Sequence, residues 1–298
     1  MPQPRTLLAA TDFSAPARHA LERAAQLAAA RPDSGLTLAH IISRSALDAL
    51  RRMLPGDAGR LEAQLLEQAE MRLDELASHL AAQHACRIDT VLGQGAAPAA
   101  LIDLAEARQT DLLVMGARGA HFVVEMLLGS TTERVLRKSR RPLLAVKQRP
   151  QAPYRRILAP VDFSDHAAAA INTAHAWLPD AEIVLLHAFE VEWEGTFRLA
   201  GMEDSQIHEH RIRARESAQS AMDAFVARLQ VPAGKLSRQF EHGTPTLRIL
   251  EHEQTMDADL IVMGKHGRSA TEELLLGSVT QHVLTHSSSD VLIAGSGG

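Results

Sequence analysis

The sequence predicts two tandem α/β units, each built on a parallel sheet covered by helices on both faces. Three observations carry this reading. The chain repeats itself at a spacing close to 148 positions. Each repeat alternates short apolar runs with longer amphipathic ones, the mark of strands alternating with helices. Several of the short runs are apolar at every position, as strands buried on both faces are. A length of 298 residues suits two domains, at about 100–200 residues each.

The repeat is explicit. Leu7-Leu-Ala-Ala-Thr-Asp-Phe-Ser14 aligns with Ile157-Leu-Ala-Pro-Val-Asp-Phe-Ser164, 150 positions on. Leu38-Ala-His40 aligns with Leu185-Leu-His187 at 147, and Asp111-Leu-Leu-Val-Met115 with Asp259-Leu-Ile-Val-Met263 at 148. So small a drift means short loop insertions within one shared fold. Strand-like runs in the first copy are Thr6–Ala10, Leu36–His40, Arg87–Val91, Leu112–Met115 and Leu143–Val146. The second copy offers Ile157–Val161, Ile183–His187, Leu236–Phe240, Leu260–Met263 and Val291–Ala294. Between them, Ala17, Leu21, Ala24 and Ala28 keep a helical spacing, as do Leu61, Leu65, Met71 and Leu76 with some drift. Thr244-Pro245 reads as an N-cap followed by proline at the first helical position. Gln148-Arg-Pro-Gln-Ala-Pro153 reads as a linker. The domains are therefore expected at 1–148 and 154–298.

Composition narrows the function. Aromatics are only 3%, too few for the stacking platforms of single-stranded nucleic-acid binding. A net charge of −5 argues against duplex binding, which rests on basic patches. A single cysteine, Cys86, excludes an intrachain disulfide and a cysteine-rich metal site. The first residues carry no apolar leader, and no apolar run approaches the roughly 20 residues of a membrane span. A soluble, cytoplasmic protein is expected.

The chemistry concentrates in a glycine motif written twice. Val114-Met115-Gly116-Ala117-Arg118-Gly119, nine residues, then Gly129-Ser130-Thr131-Thr132 recurs as Val262-Met263-Gly264-Lys265-His266-Gly267, nine residues, then Gly277-Ser278-Val279-Thr280. Backbone N–H groups approach an anion most closely where no Cβ intervenes, and a helix N-terminus adds its own unpaired donors. Gly116 and Gly119 suit a turn leaving the fourth strand, with positive φ expected at Gly119 and Gly267. Ser130 and Ser278 are expected to cap the following helix or donate to a phosphate oxygen. A strand–turn–helix with a serine cap explains one copy alone equally well; two copies at one spacing favour a phosphate cradle. Asp12 and Asp162, each followed by Phe-Ser, fit a helix cap as well as a ligand contact, and Ser14 and Ser164 fit caps. His40 and His187 end apolar strands and read as hydrogen-bonded, half-buried histidines. Asp12, Ile41, Gly116 and their counterparts all fall at strand carboxyl ends, where open α/β sheets bind ligands. Fifteen histidines do not amount to a metal set: His208 and His210 are two apart, Glu241-His242 and Glu251-His252 stand alone, and Glu203–Glu216 reads as a solvated helix face.

Gly-x2-Gly-x9-Gly-Ser after an apolar strand, with Asp-Phe-Ser closing the first strand, resembles the universal stress protein family in its tandem form, over essentially the whole chain. The resemblance implies a five-stranded, doubly wound parallel fold of the adenine nucleotide alpha-hydrolase type in each half. It also implies an internal pseudo-dimer pairing Leu143–Val146 with Val291–Ala294, open to a homodimer of chains. The ligand implied is ATP or another adenine nucleotide, with or without Mg. Carried across, Asp12 and Asp162 stand beside the nucleoside, together with the preceding Ala10-Thr11 and Pro160-Val161. Ile41 and Ala188 present backbone to the adenine. Met115-Gly116 and Met263-Gly264 flank the ribose and phosphates. Arg118-Gly119 and His266-Gly267 fall on the phosphate loop, and Gly129-Ser130-Thr131 and Gly277-Ser278-Val279 on the helix start.

The halves diverge at Arg118 against His266, Ala117 against Lys265, Thr131 against Val279 and Pro142 against Asp290. Unequal affinities follow, the first site tighter by about 1–2 kcal/mol, the worth of one charged hydrogen bond. No Gly-x4-Gly-Lys-[Ser/Thr] occurs, and Gly93-Gln-Gly95 is followed by Pro98 where a dinucleotide fingerprint needs glycine. No second carboxylate is spaced as a base for hydrolysis. A nucleotide-binding stress-response sensor or regulator with an unknown protein partner is expected. A slow ATPase or phosphotransferase, and a nucleotide-independent interaction module, are the alternatives.

Overall fold

The computed structural model describes residues 5–53, 56–119, 128–191, 194–267 and 276–295. Most of each nine-residue motif spacer lies outside them. The chain divides into two compact units, Met1–Pro153 and Tyr154–Gly297.

In the first unit the order is β1 (Thr6–Ala10), α1 (Ala15–Ala29), β2 (Gly35–Ser43), α2 (Arg44–Met53), α3 (Ala58–His84), β3 (Ile88–Gly95), α4 (Ala97–Ala107), β4 (Leu112–Gly116), α5 (Ser130–Lys138) and β5 (Leu143–Val146). The second unit runs β6 (Arg156–Pro160), α6 (Asp165–Trp177), β7 (Glu182–Phe189), α7 (Glu194–Leu199), α8 (Asp204–Val226), β8 (Leu236–His242), α9 (Pro245–Thr255), β9 (Leu260–Gly264), α10 (Ser278–His286) and β10 (Asp290–Ala294), with a 3₁₀ turn before β8. Every strand foreseen from the sequence is present, most of them a residue or more longer or offset by one.

Strand order is β3-β2-β1-β4-β5 in the first unit and β8-β7-β6-β9-β10 in the second. All pairs within each unit are parallel. The chain builds outward from β1 to β3, then returns to lay β4 on the other side of β1. That reversal opens a crevice between the carboxyl ends of β1 and β4, and likewise of β6 and β9. In the first unit α1 and α3 touch each other, as do α4 and α5, giving one helical layer per face.

Local sequence explains the elements. Ser14 caps α1, its Oγ accepting from Ala17 N at 3.3 Å, and Ser164 does the same for α6 at 3.1 Å. Ala17, Ala20, Leu21, Ala24 and Ala28 form the buried face of α1, and the small alanines let the helix lie close on β1 and β4. β4 is buried throughout; each apolar side chain fully taken from water contributes about 1.5–3 kcal/mol. Asp111, repeated as Asp259, anchors the neighbouring strand. Asp111 Oδ2 accepts from Arg5 N and Thr6 N at 2.8 and 3.0 Å, and Asp259 Oδ2 from Arg155 N and Arg156 N, both at 2.8 Å. Its recurrence in the sequence is thus a matter of architecture.

The helical run expected at Leu61–Leu76 forms α3, though it buries a different set of residues. Leu65 and Met71 are exposed, and the buried face is Leu73, Ala77 and Leu80. The helix packs on β2 and β3, and those buried residues all come from its carboxyl-terminal part, so the apolar residues of its amino-terminal half have no sheet to meet. Thr244 precedes α9 and Pro245 opens it, as expected. The Thr244 hydroxyl, however, donates to Glu190 Oε1 at 2.9 Å instead of capping the helix.

Candidate functional site

Each switch point is built around an Asp-Phe-Ser turn. Phe13 and Phe163 both have φ 64°, a left-handed conformation costing a non-glycine residue about 1–2 kcal/mol. Surrounding contacts fix it. Phe13 N donates to Thr11 Oγ1 at 3.0 Å, and Ser14 N to Asp12 Oδ1 at 3.0 Å. In the second unit Ser164 N and Oγ donate to Asp162 Oδ1 at 3.1 and 2.6 Å. The Phe13 ring lies 4.3 Å from that of His40, and Phe163 is the same distance from His187. His40 Nδ1 bonds Thr11 O and His187 Nδ1 bonds Val161 O, each at 2.7 Å; these half-buried histidines hold the turn, as the sequence suggested. With Oδ1 engaged in the turn, Oδ2 of each aspartate faces the glycine loop. A Cβ on Gly119 would stand 3.0 Å from Asp12 Oδ2, and one on Gly267 would stand 3.1 Å from Asp162 Oδ2. Asp12 and Asp162 therefore shape the turn and border the cavity at once.

The glycines are required for a different reason from the one expected. Among the described glycines, positive φ falls at Gly95, Gly201 and Gly243, not at Gly119 or Gly267. The left-handed residue of this site is the phenylalanine on the first strand's turn. Gly116 and Gly264 are needed for close approach instead. A Cβ would stand 3.0 Å from Pro16 O in the first unit and 2.9 Å from Ala167 N in the second. Only a bare backbone lets the strand end pass under the start of α1 or α6.

Of the two roles expected for the serines, helix capping is corrected. Gly129 and Gly277 occupy the N-cap positions of α5 and α10, and no side chain caps either helix. Ser130 and Ser278 are the first helical residues, exposed at the cavity mouth. Gly129 N donates back to Ala117 O at 2.7 Å and Gly277 N to Lys265 O at 3.1 Å, closing the loop on itself. The first-turn N–H groups beyond them point along the helix axis, where the macrodipole favours an anion.

All eleven residues singled out in the first half line one cavity of about 400 Å³: Ala10, Thr11, Asp12, Ile41, Met115, Gly116, Arg118, Gly119, Gly129, Ser130 and Thr131. Their eleven counterparts, Pro160, Val161, Asp162, Ala188, Met263, Gly264, His266, Gly267, Gly277, Ser278 and Val279, line another of about 490 Å³. Both volumes lie in the range of small-molecule sites, about 300–1,000 Å³. Sequence reasoning missed the apolar wall facing β2 and β7, made by Ala97 and Leu101 of α4 and by Pro245 and Ile249 of α9. It missed a strut as well. Thr132 Oγ1 donates to Gly116 O at 2.8 Å and Thr280 Oγ1 to Gly264 O at 3.0 Å, tying each helix start to its strand end. The threonine recurring two residues after each Gly-Ser was the available signal. Arg118 is exposed, whereas Lys265 and His266 are 9% and 8% exposed. Lys265 does not line its cavity. Among the described residues, no three His, Cys, Asp or Glu side chains come together as a metal site, and no helix is long and apolar enough to cross a membrane.

Fold and cavities define a tandem, doubly wound α/β protein with one small-molecule-sized cavity at each switch point. The family model for the universal stress protein family matches residues 4–147 and again 153–295, so the chain belongs to that family in tandem form. A universal stress protein of Methanocaldococcus jannaschii is 31% identical over 152 residues, spanning 47% of this chain and 94% of that one. One from Mycolicibacterium smegmatis is 25% identical over 300 residues, 96% of each chain. The crystal structure of a universal stress protein from Archaeoglobus fulgidus matches with a TM-score of 0.70 at 23% identity, covering 99% of this chain and all of that one. The last likeness is one of fold.

Proposed function

We propose that this chain is a cytoplasmic stress-response protein that binds one adenine nucleotide in each half, ATP foremost, and acts as a sensor or regulator. The domains are taken as 1–148 and 154–298. The supporting observation is that each half gathers its two glycine segments and its first-strand aspartate around one cavity, whose far end is an uncapped helix N-terminus. An apolar wall suits a base at one end, and glycines with backbone donors suit phosphates at the other.

Nothing in either lining set is arranged to activate water. The polar side chains are aspartates engaged in turns, hydroxyls of Thr11 and of each helix start, one basic side chain per loop, and His187, whose Nδ1 is held by Val161 O. Binding without efficient turnover is the chemistry this supports. The two sites are unequal, the first tighter at neutral pH because Arg118 is always charged and Thr131 adds a hydroxyl that Val279 lacks. Exposure of Arg118 keeps its contribution at the lower end of the range. Mass spectrometry of ligand carried through native purification tests the reading. Adenine nucleotide near two per chain is expected, and protein that carries none and binds no added ATP refutes it.

A further inference from the structure

The two cavities differ most at the glycine loop. In the first unit an exposed arginine, Arg118, follows the buried Ala117, and Pro16 occupies the facing helix turn. In the second unit His266 lines the cavity while only 8% exposed. Its ring meets that of His166 edge-on, with centroids 5.1 Å apart, and the adjoining Lys265 is itself buried. Arginine keeps its charge at every physiological pH, whereas an imidazole ordinarily changes charge near pH ~6.5.

We propose that the second cavity binds its phosphate ligand together with a proton taken up by His266, while the first binds without one. This inference rests on the nucleotide reading above. Among the described residues, charged and titratable groups near His266 come from the glycine loop, from α6, from β6 and from β7, the last through His187, which lines the same cavity. Lys265 adjoins it on the loop. From the first turn of α6 come His166 and Asp165, the latter held by Arg228 Nη1 at 2.6 Å. From the end of β6 comes Asp162, whose Oδ2 lies against Gly267. Gly295, after β10, lies against His166 and Lys265, and Ser278 at the start of α10 lines the same cavity; neither titrates.

His266 is only 8% exposed, and burial disfavours the charged form of an imidazole unless an anion is at hand. An arriving polyphosphate supplies that anion and favours the charged ring. Binding and proton uptake are then linked: the affinity is highest in acid and declines as pH rises. For an imidazole of ordinary half-protonation point, about 6.5, that a bound phosphate raises by about one pH unit, affinity falls about six-fold between about pH 6 and about pH 8. The second half would then report pH through its occupancy, while the first reports nucleotide level alone.

The test is calorimetric titration of the full chain with ATP across that range, in buffer pairs of different ionisation enthalpy. ATP's terminal phosphate titrates near pH ~6, so the first site serves as the internal reference, and Gly119→Val assigns the two isotherms. The expected result is excess proton uptake at the second site only, with about six-fold more loss of affinity than at the first. His266→Arg keeps a cation and removes the titration, so its second site should follow the first in parallel. Equal pH slopes in the wild type, or a slope that survives His266→Arg, overturn the proton linkage while leaving nucleotide binding standing. Absence of ATP binding at any pH overturns the nucleotide reading and this inference with it.

Discussion

Replacing Gly119 by valine should remove the first ligand site and leave the fold nearly untouched. The new Cβ would stand 3.0 Å from Asp12 Oδ2, the end of an exposed side chain whose other oxygen makes the turn. A small rotation of that carboxylate relieves the contact. Without a positive φ to lose, the stability cost stays near the surface norm of about 0.5 kcal/mol. The ligand fares differently, because two methyl groups then cover the approach to the loop's backbone donors. Losing two charge-assisted hydrogen bonds at about 1.5–3 kcal/mol each weakens binding at least about 100-fold. Gly116→Ala gives the contrast. Its Cβ would press on Pro16 O and Pro16 C at 3.0 and 3.1 Å, backbone atoms of α1 that move only if the helix lifts from the sheet. That costs about 1–3 kcal/mol of stability. Calorimetric titration with ATP and thermal melting of both variants distinguish the two roles. Stoichiometry should fall from two to one in Gly119→Val with little change in Tm. A Gly119→Val protein that keeps both sites, or that melts as early as Gly116→Ala, would refute the reasoning.

Three further outcomes are expected. Glu253 of α9 is buried, and its Oε1 accepts from Ser288 N, Ser288 Oγ, Ser289 N and Ser289 Oγ at 2.8, 3.0, 2.6 and 2.7 Å. Glu253→Ala leaves the Ser288 and Ser289 N–H groups and the Ser288 hydroxyl unmatched, the Ser289 hydroxyl still reaching Ala258 O at 2.8 Å, and should cost about 2–5 kcal/mol in urea denaturation; a loss under about 1 kcal/mol contradicts the assignment. Steady-state ATP turnover with Mg²⁺ should lie far below the enzyme median of about 10 per second, and a rate at that level makes the protein an enzyme. Chains 1–148 and 154–298, produced separately, should associate in size-exclusion chromatography if Leu143–Val146 pairs with Val291–Ala294 as the family resemblance implies; two stable monomers that ignore each other end that reading.

The duplicated architecture is legible along the chain, because strands buried on both faces and helices with one apolar stripe leave different periodicities. The repeat also marks which residues to watch, and the twenty-two site residues named from it and from the family resemblance line the two cavities. Tertiary structure decided what each of them is for. Whether Gly116 serves a turn or a close approach depends on Pro16, a hundred positions away in sequence, passing over it. That Phe13 rather than Gly119 takes the left-handed conformation depends on Thr11, Asp12 and His40 holding it there. Leu65 and Met71 look like core in a periodic pattern, but exposure is set by where the sheet ends, which no local pattern records. The burial of His266 against His166 joins residues one hundred positions apart. Periodicity and spacing are local properties and can be read along the chain. Contacts made by folding the chain back on itself are not, and the chemistry that separates the two cavities lies in those contacts.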